Sequence, residues 1–195
     1  MDTKAVEQQL RERGLEILGP CVSLSQEGEL LAVSPLLADF TPAEADLLGA
    51  SMLRVSAQPG QLLIAEGEAS DWMMLLLSGT VDVGKRKGGT GSDGQEASEV
   101  TRLAVIKEGA VIGEMSMLDG EPRYASCRAL GPVQAAVLTR AAVGRLIAAH
   151  PAVGAKLLVK LTQLLAQRLR NTSNQLIKVL QALGQAAAGG PGPGA

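Results

Sequence analysis

The chain has 195 residues, enough for one domain with a real core and a helical appendage. Its 18 Lys and Arg against 20 Asp and Glu leave a formal charge of −2, and Phe40, Trp72 and Tyr124 are its only rings, so neither a basic field nor a stacking platform favours nucleic acid. Cys21, Cys127 and His150 have no partner spacing for a disulfide framework or a metal set, and no run of about 18 apolar residues offers a membrane span. The opening residues lack the apolar core of a secretion signal, and a cytoplasmic protein is expected.

In chain order, apolar and charged positions alternate at helical spacing over residues 3 to 18 until Gly19-Pro20, which predicts a helical N-terminal arm (1–34). Ser34-Pro35 and Thr41-Pro42 each place a capping oxygen before a proline, so a helical turn at 35–38 and a helix at 42–50 follow; Thr41 with Glu44 forms a capping-box pattern. From Met52 to Thr139 the pattern changes to short strands punctuated by glycine: 52–57, 62–65, 72–77, 81–84, 100–106, 125–129 and 133–138. The fold class is α+β, an antiparallel β-roll or jelly roll between helices. The glycine-rich stretch 88–96 reads as an exposed hairpin loop. It has no Gly-Lys-Ser/Thr ending and so no triphosphate role.

Thr139 is placed to cap a helix at 140–149, and a long helix runs from about 152 to 183, followed by a disordered tail (184–195). Along the long helix Leu157, Leu161, Leu165, Leu169, Thr172, Leu176, Val179 and Leu183 recur in steps of three and four, a coiled-coil-like seam that predicts a homodimer. Thr172, the polar member, reads as a register-setting residue.

The richest segment is Gly113-Glu114-Met115-Ser116-Met117-Leu118-Asp119-Gly120-Glu121-Pro122-Arg123-Tyr124-Ala125. Gly113 lets backbone approach a ligand, the following turn offers free N–H groups to an anion, and Arg123 brings a planar fork of donors to phosphate oxygens. Glu114 would repel a phosphate unless it held a donor of its own, such as a ribose hydroxyl. A sugar phosphate fits both groups.

This segment resembles the phosphate-binding cassette of cyclic-nucleotide-binding domains, and Gln167-Arg168-Leu169-Arg170-Asn171-Thr172-Ser173-Asn174 resembles the equivalent helix of catabolite-activator-type regulators. The resemblance covers residues 35 to 183, the expected cyclic-nucleotide-binding domain. It implies that Glu114 holds the ribose 2′-hydroxyl, that Arg123 and the N–H groups near Met115 and Ser116 hold the cyclic phosphate, and that Tyr124 and Ala125 line the pocket. Thr172 and Ser173 would contact the base across a dimer.

Tyr124 stands where members of that family carry Ala, Ser or Thr, and a Thr there accompanies guanine preference. Too few residues follow the long helix for a helix-turn-helix, so no DNA partner is expected. The resemblance implies a non-enzymatic sensor of cyclic AMP, with cyclic GMP as a second ligand, that signals through its C-terminal helices to a downstream protein or a second copy. No catalytic residue, metal or further cofactor is expected. Two alternatives stand: an interaction module of the same fold that binds no nucleotide, and a cyclic-di-nucleotide receptor that would enlist further arginines such as Arg102 and Arg128.

Overall fold

The computed structural model describes residues 3–86 and 100–188. The loop expected at 88–96 and the tail after 188 lie outside them.

The N-terminal segment differs from the expected arm. Helix α1 (Thr3–Glu12) ends where Gly14 turns left-handed at φ 74°, with its N–H on the Arg11 carbonyl at 2.9 Å, and residues 16–20 leave as strand β1 (Glu16–Pro20). The helix expected to reach residue 18 is therefore cut short. Its last residues do better as an edge strand paired antiparallel with β2 (Leu53–Ala57), where Pro20, which has no N–H, sits at the strand's end. Val6, Leu10 and Leu15 are buried in the core between the sheets, so this segment is part of the roll.

Residues 35–38 form a hydrogen-bonded turn, with the Leu37 N–H on the Ser34 carbonyl at 3.1 Å, but no helix; a short helix, α2 (Leu30–Val33), precedes it. Ser34 does not cap a following helix, because its hydroxyl donates to the Gly109 carbonyl at 2.7 Å. Helix α3 (Pro42–Ala50) forms as its capping box dictates: the Thr41 hydroxyl accepts the Glu44 N–H and the Glu44 carboxylate accepts the Thr41 N–H.

The remaining strands are β3 (Leu62–Ile64), β4 (Trp72–Ser78), β5 (Thr80–Arg86), β6 (Val100–Lys107), β7 (Val111–Ile112), β8 (Ser126–Ala129) and β9 (Val133–Thr139). They form two antiparallel sheets, ordered β1-β2-β9-β4-β7 and β3-β8-β5-β6. Strand β4 explains the thickness of the molecule. Its Met73, Leu75 and Leu77 face a helical layer, while Trp72, Met74 and Leu76 face the interior between the sheets, so the strand is apolar throughout.

Between β7 and β8 lies the short helix α4 (Glu114–Asp119); α5 (Arg140–Ala149) begins at Thr139, whose hydroxyl accepts the Ala142 N–H, and α6 (Pro151–Ala188) follows. Helix α6 thus continues past the expected residue 183, and 184–188 are helical rather than tail. The leucine seam divides in two. Leu157 and Leu161 are fully buried in this chain's own core, and Lys156 and Lys160 tie the same stretch to Glu44 and Asp39, whereas Leu169, Leu176, Val179 and Leu183 are exposed. No helix among the described residues is long and apolar enough to cross a membrane.

Candidate functional site

A cavity of about 370 Å³ opens between the second sheet, the α4 segment and α6. Its apolar floor comes from Ile64, Val83 and Ile106, and its polar edge from Glu114, Ser116, Arg123, Arg168, Asn171, Thr172 and Gln175. Gly113, Met115, Tyr124 and Ala125 complete that edge, so eight of the nine residues singled out in the sequence meet here. Ser173 does not: it is exposed, one step off the helix face that carries Thr172.

Gly113 begins this site. It takes φ 74°, and a Cβ placed there would stand 2.5 Å from Arg123 Nη1 and 2.9 Å from Ile64 Cδ1. Glycine is required twice over, by the left-handed backbone and by the approach of the arginine. Gly113→Ala is expected to lower stability by about 1–2 kcal/mol from the backbone alone and to push the guanidinium aside; denaturant unfolding measures the first effect.

Arg123 is only 2% exposed. Its Nη1 donates to the Gly113 carbonyl at 2.5 Å, its Nη2 to the Trp72 carbonyl at 2.6 Å, and its guanidinium lies 4.3 Å from the centre of the Trp72 ring. Its Nε is buried without a hydrogen-bond partner among the described residues. Burial, followed by the neighbouring Arg13, pulls the guanidinium pKa down to about 10, so it remains a cation at neutral pH in a place that disfavours one. An anion in the cavity would offer the orphaned donor an acceptor and add to the partial compensation of charge by Glu114 and Asp71.

Glu114 is equally buried, at 2% exposure, and its carboxylate pairs with Arg168 of α6, which also donates to the Val111 carbonyl at 2.5 Å. A direct pair of Arg123 with Glu114 or Asp119 is not formed. Arg168 thus lines the cavity, a placement that the sequence alone does not single out. It stands four positions before Thr172, on the same helical face, and that spacing was the available signal.

Tyr124 is 59% exposed, its ring lying 3.7 Å from Lys85 Nζ, which also donates to the Tyr124 carbonyl. The tyrosine therefore occupies the rim, and its bulk does not fill the cavity. Cys127 lines the floor, where burial pushes its thiol up to about 12 and keeps it protonated, hence unsuited to act as a nucleophile. Arg102 is engaged with Asp82 and Arg128 with the Gly60 carbonyl; neither lines the cavity, which removes the extra arginines expected of a cyclic-di-nucleotide site. Among the described residues no group of three or more His, Cys, Asp or Glu is arranged to hold a metal.

The cyclic nucleotide-binding domain family model matches residues 54–150. A solved cyclic nucleotide-binding domain from Methylobacillus flagellatus is 34% identical, covering 84% of this chain and 88% of its own with a TM-score of 0.70. The catabolite activator protein of Thermus thermophilus is 27% identical, with 75% and 63% coverage and a TM-score of 0.64. A CRP-like cAMP-activated global transcriptional regulator of Mycobacterium tuberculosis is 30% identical over 152 residues, which make up 78% of this chain; the match spans 62% of that relative's length. The matched stretch includes the α4 segment and the arginine that follows it, and with the two-sheet roll and closing helices it places this chain in the cyclic nucleotide-binding domain family.

Proposed function

We propose that this chain is a regulatory sensor that binds 3′,5′-cyclic AMP in the cavity beneath α6 and passes occupancy through that helix to a second copy of itself or to a downstream protein. The observation that carries the reading is the Arg123 guanidinium: buried, cationic, fixed by two carbonyls and with its Nε unpartnered among the described residues, at the edge of a cavity of small-molecule size. The cyclic phosphate would take that donor together with the free N–H groups around Met115 and Ser116. The ribose 2′-hydroxyl would donate to Glu114, which Arg168 already orients. That Glu114 and Arg123 border one cavity speaks against an interaction module that binds no nucleotide. The Mycobacterium relative, named as cAMP-activated, supports the choice of ligand.

Signalling then follows from geometry. Arg168 and Thr172 touch the cavity and belong to α6, so a ligand that prefers one seating of α6 shifts the population toward it by its difference in affinity. The polar groups of α6 at the cavity, Asn171, Thr172 and Gln175, are the candidate base readers. Ser173, off the cavity in its own chain, would serve the site of a second copy.

Calorimetry of the purified protein against cyclic AMP, cyclic GMP and cyclic di-GMP tests the reading. Cyclic AMP is expected to bind more tightly than cyclic GMP by about 1–2 kcal/mol, the worth of one or two neutral hydrogen bonds, and cyclic di-GMP to bind poorly. Thr172→Val with Ser173→Ala should narrow the first gap and leave phosphate affinity in place. Absence of cyclic AMP binding would refute the proposal, and equal affinities for the two mononucleotides would refute base reading by α6.

A further inference from the structure

The Trp72 ring is held from the N-terminal side by Gln9 and Arg13. Gln9 of α1 accepts the indole Nε1–H at 3.2 Å, and the Arg13 guanidinium lies over the same ring, 5.5 Å from its centre. Arg13 is fixed in turn by the Leu63 carbonyl, to which its Nη1 donates at 2.5 Å, and by an ion pair with Glu68. The Glu68 carbonyl accepts the Arg123 N–H at 2.9 Å, and the Arg123 carbonyl accepts the Gly67 N–H at 2.8 Å. Two routes therefore join α1 to Arg123, one through the indole and one through the 67–68 turn. The first ends on the guanidinium itself, which takes both its face contact and one of its hydrogen bonds from Trp72.

We propose that Gln9 and Arg13 are positioning residues for the phosphate-binding arginine, acting through Trp72 and Glu68, so that α1 and nucleotide binding are coupled. The inference rests on the cyclic-nucleotide reading of the cavity. An indole fixed in place by Gln9 offers Arg123 a cation–π surface and a carbonyl at a set position, and such a contact gains strength where water is excluded. Arg13 adds a second cation to the same ring, and Glu68 offsets its charge. A ligand that draws on Arg123 must then alter how tightly α1 is held, and by linkage the hold of α1 must alter ligand affinity.

The test is a double-substitution cycle read by cyclic AMP titration. Arg13→Gln is expected to weaken binding about tenfold, Gln9→Leu about threefold, and Arg102→Gln, whose side chain does not line the cavity, not at all. In an Arg123→Lys background, where the planar fork that joins the Trp72 ring and carbonyl to the phosphate is gone, Arg13→Gln should cost much less; a general loss of folding would add its full effect. Wild-type affinity in both Arg13→Gln and Gln9→Leu, or a tenfold loss repeated in the Arg123→Lys background, overturns the inference while leaving the nucleotide site intact. Amide hydrogen exchange of residues 3–12 without ligand supplies the second arm. Arg123→Ala is expected to speed that exchange relative to wild type by more than it speeds exchange in α3 (42–50), which a general loss of stability would speed equally. If the wild type binds no cyclic nucleotide, this arm decides alone: exchange speeded more in α1 than in α3 sustains the coupling, and an equal change in both, or none in α1, refutes it.

Discussion

Replacing Arg123 with alanine is expected to weaken cyclic-nucleotide binding by about 2–5 kcal/mol, the loss of a charge-assisted partner for a desolvated phosphate. The same change strips the Gly113 and Trp72 carbonyls of their donor, so a fall in stability of about 1–3 kcal/mol should accompany it. Arg123→Lys restores a charge without the planar fork, cannot reach both carbonyls and the ligand together, and should recover only part of the affinity. Titration with circular dichroism on the same samples separates the two effects. Wild-type affinity in a folded alanine variant would remove Arg123 from the site.

The protein is also expected to form a symmetric dimer through the outer half of α6. Leu169, Leu176, Val179 and Leu183, from 55% to 69% exposed, lie together with Thr172 in steps of three and four on a helix that has left its own core. Leu169→Asp with Leu176→Asp should give a folded monomer, because neither side chain supports the domain; Leu161→Asp should unfold it, because Leu161 does. Light scattering with and without nucleotide reads the first outcome. A wild-type monomer at high micromolar concentration, or a dimer that survives the double aspartate change, would refute the seam. Thr172 lies between Leu169 and Leu176 and also borders the cavity, so ligand and dimer would bear on one stretch of helix.

Features governed by local chemistry were legible in the sequence. The capping box at Thr41 and Glu44, the cap at Thr139, the glycine-punctuated strands and the cassette from Gly113 to Ala125 all act over a few residues. What depended on distant partners was not. Residues 16–20 carry a helical pattern, yet they gain more from pairing with β2 than from one further turn of helix after Gly14. The leucine repeat gives no sign that Leu157 and Leu161 belong inward and Leu169 outward, since that division depends on where α3 and α5 end up. Arg168, 54 residues from Glu114, reaches it only when α6 folds back over the roll. The carbonyls that hold Arg123 belong to backbone, which carries no sequence signature.

A crystal structure of the protein grown with saturating cyclic AMP should hold the nucleotide in the cavity beneath α6, its cyclic phosphate within hydrogen-bonding distance of Arg123, its ribose hydroxyl on Glu114 and its base against Thr172. An empty cavity, or a nucleotide bound with its phosphate away from Arg123, would contradict the cyclic-nucleotide reading of the cavity.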